Sequence, residues 1–186
     1  MPILGQETDM YPPDLFSGAP DDGVEEQRWY CVYTLSRREK DLMRKLAAWQ
    51  IPFYGPVIEK RYRSPKGRLR TSYVPLFPNY VFLRASDSQR YQALTTNCVS
   101  RCTPVNDEEQ LVHDLKQLSE VIAAGVGLTP EARLEPGNLV RVKTGPFAGY
   151  EGTVIRREGK TRLQLCVQFL EQGISIALDE GLIEPI

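Results

Sequence analysis

The sequence is short of the residues that surface chemistry needs. Its 186 residues include one histidine, His113. By the helical period His113 falls off the apolar face of its segment, which makes it a solvated side chain. The four cysteines, Cys31, Cys98, Cys102 and Cys166, contain no C-x-x-C pair, so the spacing of a zinc site is missing. Cys98 and Cys102 stand an even number of positions apart on an expected strand and read as small buried hydrophobes. The glycines of 145–152 lead into a strand rather than a helix, so there is no phosphate-cradling loop. Without a base, a nucleophile or a metal set, the expectation is no enzyme, no cofactor and no metal. No apolar run approaches ~18 residues, and the N-terminus lacks a basic start followed by an apolar stretch. A disulfide framework would need secretion. The expected compartment is the cytoplasm, with no membrane partner.

Basic residues are missing from the first 27 positions, which hold seven acids and no Lys or Arg. The overall net charge of −1 hides this. Residues 28–84 carry 13 basic and 3 acidic side chains, residues 85–135 carry 4 and 8, and residues 136–186 carry 6 and 6. An acidic leader therefore precedes one strongly basic block, a pattern suited to nucleic acid. With Pro2, Pro12, Pro13 and Pro20 and no sustained period, residues 1–27 read as a disordered tail.

Order is expected from Arg28. Residues 29–34, aromatic and β-branched, read as a strand. Ser36 with Glu39 reads as a helix start, and Leu42, Met43, Leu46, Ala47 and Trp49 supply an apolar stripe before Pro52 ends the helix. Residues 57–62 and 69–76 form a hairpin around the turn Ser64-Pro65-Lys66-Gly67, and residues 80–83 a further strand. Ser86 with Gln89 opens a short helix through Tyr91 and Leu94, and residues 98–105 return as a strand. Asn106 with Glu109 caps a third helix whose Leu111, Leu115, Leu118 and Ile122 share one face. Gly125 and Gly127 stop it, and Thr129-Pro130-Glu131 reads as linker. From Pro136 about five short strands follow in some fifty residues, the spacing of a small barrel. The organisation is α+β, then all-β: a tail at 1–27, a first domain at 28–125, a linker at 126–135 and a barrel at 136–186.

Three segments carry functional signal. In Pro136-Gly137-Asn138-Leu139-Val140-Arg141-Val142-Lys143-Thr144-Gly145-Pro146-Phe147-Ala148-Gly149, an alternating strand runs into a glycine-bounded turn. Phe147 at the tip would be partly exposed, as either a core plug or a partner anchor. In Pro75-Leu76-Phe77-Pro78-Asn79-Tyr80, two prolines force a kinked, extended entry into a strand. In the hairpin, Arg61, Arg63, Lys66, Arg68 and Arg70 interleave with Tyr62, a set able to contact phosphates and stack on an unpaired base. Arg37, Arg38, Lys40, Arg44 and Lys45 form a second basic cluster on the first helix.

The segment from Pro136 resembles the KOW motif. With Trp29-Tyr30 and Arg38-Glu39-Lys40, the Pro75–Tyr80 segment resembles the N-terminal domain of NusG-type transcription factors. The pairing resembles the NusG/RfaH family over residues 28–186, and Asn79 makes it look like a specialised paralogue. The resemblance implies an N-terminal antiparallel sheet with flanking helices followed by a small SH3-like KOW barrel, and a non-enzymatic monomer. It further implies a factor that binds the clamp helices of the RNA polymerase β′ subunit, contacts the non-template DNA strand and suppresses pausing or termination. Carried over by position, Trp29, Tyr30, Phe77, Pro78, Asn79 and Tyr80 would meet polymerase. Arg37, Arg38, Arg61, Arg63, Lys66, Arg68 and Arg70 would meet nucleic acid. So would Thr95 and Thr96, in the stretch with Gln89, Arg90, Gln92 and Asn97. Arg141 and Phe147 would meet a small-subunit ribosomal protein or the termination factor Rho. The alternative is a KOW-type RNA-binding or ribosome-associated protein, which would not need Pro75–Tyr80 or the Trp29 strand.

Overall fold

The computed structural model describes residues 6–17, 26–131, 137–157, 159–179 and 182–186. The chain forms two compact units, Met1–Glu108 and Glu109–Ile186.

The first unit is built on a five-stranded antiparallel sheet. Its strands are β1 (Met10–Tyr11), β2 (Arg28–Thr34), β3 (Phe53–Tyr54), β6 (Tyr80–Ala85) and β7 (Val99–Pro104), in the order β1-β3-β6-β2-β7. A separate hairpin pairs β4 (Val57–Arg63) with β5 (Leu69–Pro75). Two helices complete the unit, α1 (Glu39–Ala48) and α2 (Asp87–Leu94). Strand alternation sends Tyr30 and Val32 to one face of β2, where they join Leu42, Met43 and Leu46 of α1 and Val81 and Leu83 of β6 in the core. Trp29, Cys31 and Tyr33 lie on the opposite face, and the register sets Tyr33 against Tyr80 and Cys31 against Phe82.

Helix α1 ends as the pattern expects, with a residue other than glycine in the left-handed closing position. Gln50 takes φ 56°, and the N–H groups of Ile51 and Gln50 donate to the carbonyls of Leu46 and Ala47. This is a Schellman closure, with Ile51 packed in the same core as Leu46. Its start differs from expectation. The N-cap is Arg38 without a side-chain capping bond, and Glu39 is engaged by another loop. Helix α2 has the full Ser86–Gln89 capping box. Its expected apolar residues point outward, however: Tyr91 is 62% exposed and Leu94 36%, and Ala93 is the buried one.

The tail expected over 1–27 is partly folded. Residues 6–17 contribute β1, which pairs with β3, and Leu15 is buried. Residues 1–5 and 18–25 of that expected tail lie outside the described residues.

The second unit holds α3 (Glu108–Ala123) and a six-stranded antiparallel sheet. The strands are β8 (Leu128–Glu131), β9 (Asn138–Val142), β10 (Glu151–Arg157), β11 (Lys160–Val167), β12 (Gln172–Ala177) and β13 (Ile183–Pro185), in the order β13-β9-β10-β11-β12-β8. The linker expected at 126–135 therefore contains a strand; its residues 132–135 lie outside the described residues, as does Pro136. Pro130 is tolerated because β8 is an edge strand, where one N–H can be lost. Glu131 is buried, accepts from Ser175 Oγ at 2.6 Å and from Arg157 at 2.8 Å, and ties β8 to the sheet. Gly149 takes φ 89° in the turn before β10. A Cβ at Gly152 would stand 2.5 Å from the Gln164 carbonyl oxygen, so only glycine lets β10 approach β11 there.

Candidate functional site

The turn after β5 is pinned at both sides. The Leu76 N–H donates to Pro56 O at 2.8 Å and the Tyr80 N–H to Phe77 O at 3.1 Å. Asn79 adopts φ 68°, a left-handed conformation that asparagine tolerates. Its carbonyl accepts from the Thr34 N–H, and its own N–H donates to Glu39 Oε1, both at 2.8 Å. Glu39 is buried. Instead of capping its own helix, it holds the turn. Phe77 is buried, with its ring edge-on to Phe82 at 6.4 Å. Pro78 is exposed, and Asn79 and Tyr80 are half-buried. Tyr80 packs edge-on to Tyr33 at 5.2 Å.

Of the six residues expected to meet polymerase, the turn presents Pro78, Asn79 and Tyr80. Trp29 is buried on the same sheet face as Tyr80. Tyr30 is buried on the opposite face, within the core, with the Arg90 guanidinium 5.7 Å from its ring. Tyr33, which alternates with Trp29 and Cys31, shares their face and stands opposite Tyr80.

The hairpin carries its bases on both faces. Register sets Tyr62 opposite Arg70 and Lys60 opposite Ser72, while Arg61 and Arg63 share the other face with Thr71 and Leu69. Lys66 and Arg68 sit at the turn, closed by Gly67 at φ 75° and by bonds between Ser64 and Arg68. All of these bases are exposed, as is Tyr62 at 45%. Among the described residues, Arg61 is the hairpin base with an acidic partner, Glu59.

The basic cluster of α1 is different. Arg38 pairs with Asp41 at 3.2 Å and Lys45 with the same carboxylate at 3.3 Å. Arg44 pairs with Glu7 at 3.0 Å. The Cys98 thiol, Lys45 and Arg38 hold the Asp41 carboxyl below its ordinary range. Arg37 is exposed in a left-handed conformation at φ 61°. An open groove of 650 Å³ runs between the start of α1 and β5, lined by Arg37, Arg38, Lys40, Arg44, Tyr73 and Pro75 among others.

At the end of α2 the two threonines separate. Thr96 is buried; its hydroxyl donates to Ala93 O at 2.7 Å and accepts from the Cys98 N–H. That hydroxyl closes the helix and has no face for nucleic acid. Thr95 is exposed and donates to Gln92 O at 2.7 Å. Tyr91, one turn before it, stands in solvent with the Arg90 guanidinium 4.8 Å from its ring.

In the second unit, Arg141 is exposed and donates to Glu151 Oε1 through Nε at 2.9 Å and Nη2 at 2.6 Å. Phe147 was expected to be partly exposed; it is 8% exposed, with its ring 5.6 Å from that of Tyr150. The reason is α3. Gln117 accepts from the Glu151 N–H at 2.9 Å, Glu120 accepts from the Tyr150 hydroxyl, and Asp114 accepts from the Gln168 N–H at 3.0 Å. These three side chains, three positions apart along one helix face, fasten the loops around 145–151 and 168–170. Phe169 in the second loop remains 43% exposed.

The four cysteines are free thiols. Burial pushes the Cys31 thiol up to about 12 and raises those of Cys102 and Cys166. Among the described residues, no group of His, Cys, Asp and Glu is arranged to hold a metal ion. No helix among them is long and apolar enough to cross a membrane.

Comparison with known proteins groups most of α3 with the first unit rather than the second. A family model described as transcription termination factor nusG matches residues 27–121, and the KOW motif matches residues 136–165. The chain is similar to a transcription termination/antitermination protein NusG of Pseudomonas aeruginosa, at 28% identity over 181 positions, covering 86% of this chain and 99% of the relative. Proteins of the same description from Vibrio vulnificus and Yersinia pestis are 25% and 26% identical, covering 87% and 86% of this chain and 97% and 96% of each relative.

Proposed function

Because this chain belongs to the NusG family of transcription termination and antitermination factors, which are not enzymes, we propose that it is a cytoplasmic elongation factor that rides on RNA polymerase. The first unit binds the clamp helices of the β′ subunit, and the hairpin contacts the displaced non-template strand. The observation that carries this reading is the turn at Phe77–Tyr80. It is locked by Glu39 and presents Tyr80, Tyr33 and Pro78 beside a hairpin whose bases are exposed.

A rigid aromatic pair loses little conformational entropy on binding, so it suits an apolar helical partner. Phosphate contacts from Arg63, Lys66, Arg68 and Arg70 would add affinity that depends on salt and is blind to sequence. Tyr62 and Tyr91 are exposed rings available to stack on unpaired bases. Held together, these contacts favour the transcribing form of the enzyme and suppress pausing. The barrel supplies a second protein contact. With Phe147 covered, its exposed aromatic is Phe169, and a small-subunit ribosomal protein or Rho is the partner that the resemblance implies.

The test is binding of the full chain to purified RNA polymerase, followed by a pause assay on varied templates. Tyr33→Ala with Tyr80→Ala should weaken binding at least about tenfold, as loss of central aromatic anchors does, without loss of folding. Undiminished binding by the folded double variant would overturn the clamp-helix assignment.

A further inference from the structure

Residues 6–17 lie ahead of the family-matched region and fold back over the sheet. Met10 and Tyr11 pair antiparallel with Tyr54 and Phe53, and the Gly55 N–H donates to Asp9 O at 2.8 Å. Two turns follow, in which the Leu15 N–H donates to Pro12 O and the Ser17 N–H to Asp14 O. They bring Leu15 into a buried position and lay the Phe16 ring against the sheet. Phe16 stacks on Trp29 at 6.2 Å with 8° between the planes, and meets Tyr54 edge-on at 5.3 Å. At the other end Glu7 pairs with Arg44.

This arrangement has the parts of a removable cover. The ladder holding it is two residue pairs long, against six for β2 on β6. Its ion pair reaches a largely exposed arginine, and such pairs hold weakly. It also occupies a sheet edge, a place where one extended segment can replace another. Trp29 under Phe16 lies on the same sheet face as Tyr33 and Tyr80. The strap and the aromatic pair therefore share one surface.

We propose that residues 6–17 form a strap that competes in cis with polymerase for this aromatic face, so that the chain binds fully only when Phe16 leaves Trp29. The proposal rests on the polymerase-binding reading above. A strap docked nine-tenths of the time lowers apparent affinity about tenfold. The partner that displaces it is an apolar protein surface able to cover Trp29 and Tyr54, not nucleic acid.

The test uses the full chain and purified core polymerase. Phe16→Asp places a charge against two rings, and the variant should bind polymerase about five- to tenfold more tightly than the wild type. In the wild type, exchange of the Gly55 amide, protected by Asp9, should speed up when polymerase is bound. The exchange measurement needs no variant and so stands even where Phe16→Asp fails to fold. Equal affinity of folded Phe16→Asp and wild type, or a Gly55 amide that stays protected in the complex, would overturn the strap. No binding by the wild type and the folded variant alike would overturn the polymerase reading together with it.

Discussion

The basic cluster of residues 37–45 at helix α1 and the β4–β5 hairpin carry similar numbers of bases a short distance apart in the chain, yet they end in opposite electrostatic states. On α1, Asp41 draws in Arg38 and Lys45, and Glu7 reaches Arg44 from more than thirty residues away. On the hairpin, the acidic neighbour Glu59 engages Arg61, and Lys66, Arg68 and Arg70 project from a ribbon with solvent on both sides. A count of basic residues measures charge. How much of it is available to a phosphate depends on which carboxylates the fold brings within 4 Å. On the proposed reading, the contrast ranks the hairpin ahead of α1 as a phosphate-contacting surface.

The sharpest way to break this comparison is charge reversal on the hairpin. Arg63→Glu, Lys66→Glu and Arg68→Glu together should lower affinity for an elongation complex by roughly tenfold to a hundredfold. They should also reduce the slope of log affinity against log salt by about 2, at about 0.7 per lost contact to a single strand. Titration at several salt concentrations measures both, and an unchanged slope would return the hairpin to a solvated ribbon.

The next effect is on stability. Glu39→Ala leaves the Asn79 N–H without its acceptor and should cost about 1–3 kcal/mol, read by denaturant unfolding, with polymerase binding weakened through the loosened turn. If Glu39 merely favoured its own helix start, the cost would be nearer 0.3–1 kcal/mol, roughly the worth of an acidic residue in a first turn.

A smaller and opposite change is expected from Asp41→Asn. It releases Arg38 and Lys45 and should raise non-specific DNA affinity about threefold at low salt, an increase that higher salt erases. The smallest effect is Arg44→Ala, which removes a base already paired with Glu7. Its DNA affinity should change by less than about twofold, since exposed ion pairs of this kind contribute little. A larger fall than that for the hairpin variant would reverse the ranking of the two clusters.

Much of the architecture was legible because its signals are local. The alternation of Trp29, Cys31 and Tyr33 against Tyr30 and Val32, the Ser86–Gln89 box, the stop after α1 and the short strands after Pro136 each need only neighbouring residues. The misreadings share a cause. Phe147 looked exposed because a turn tip usually is, but Gln117 and Glu120 of α3 fasten the loop that holds it. Thr96 looked available, but it closes α2. Residues 128–131 looked like linker because of Pro130, which an edge strand accepts. Residues 6–17 looked disordered by composition, but Phe16 finds Trp29 and Tyr54.

The sequence by itself determined the α+β and all-β fold class, the family, the position of the kinked Pro75–Tyr80 segment and the basic ribbon. These follow from periodicity, proline and glycine geometry, and charge within short windows. Only the tertiary structure decided which bases are neutralised, which aromatics are covered and that Glu39 serves a turn forty residues away. Those outcomes depend on pairs such as Glu7–Arg44, Glu39–Asn79, Phe16–Trp29 and Gln117–Glu151. No local pattern specifies them, because the free energy of each contact exists only after the chain has brought distant segments together.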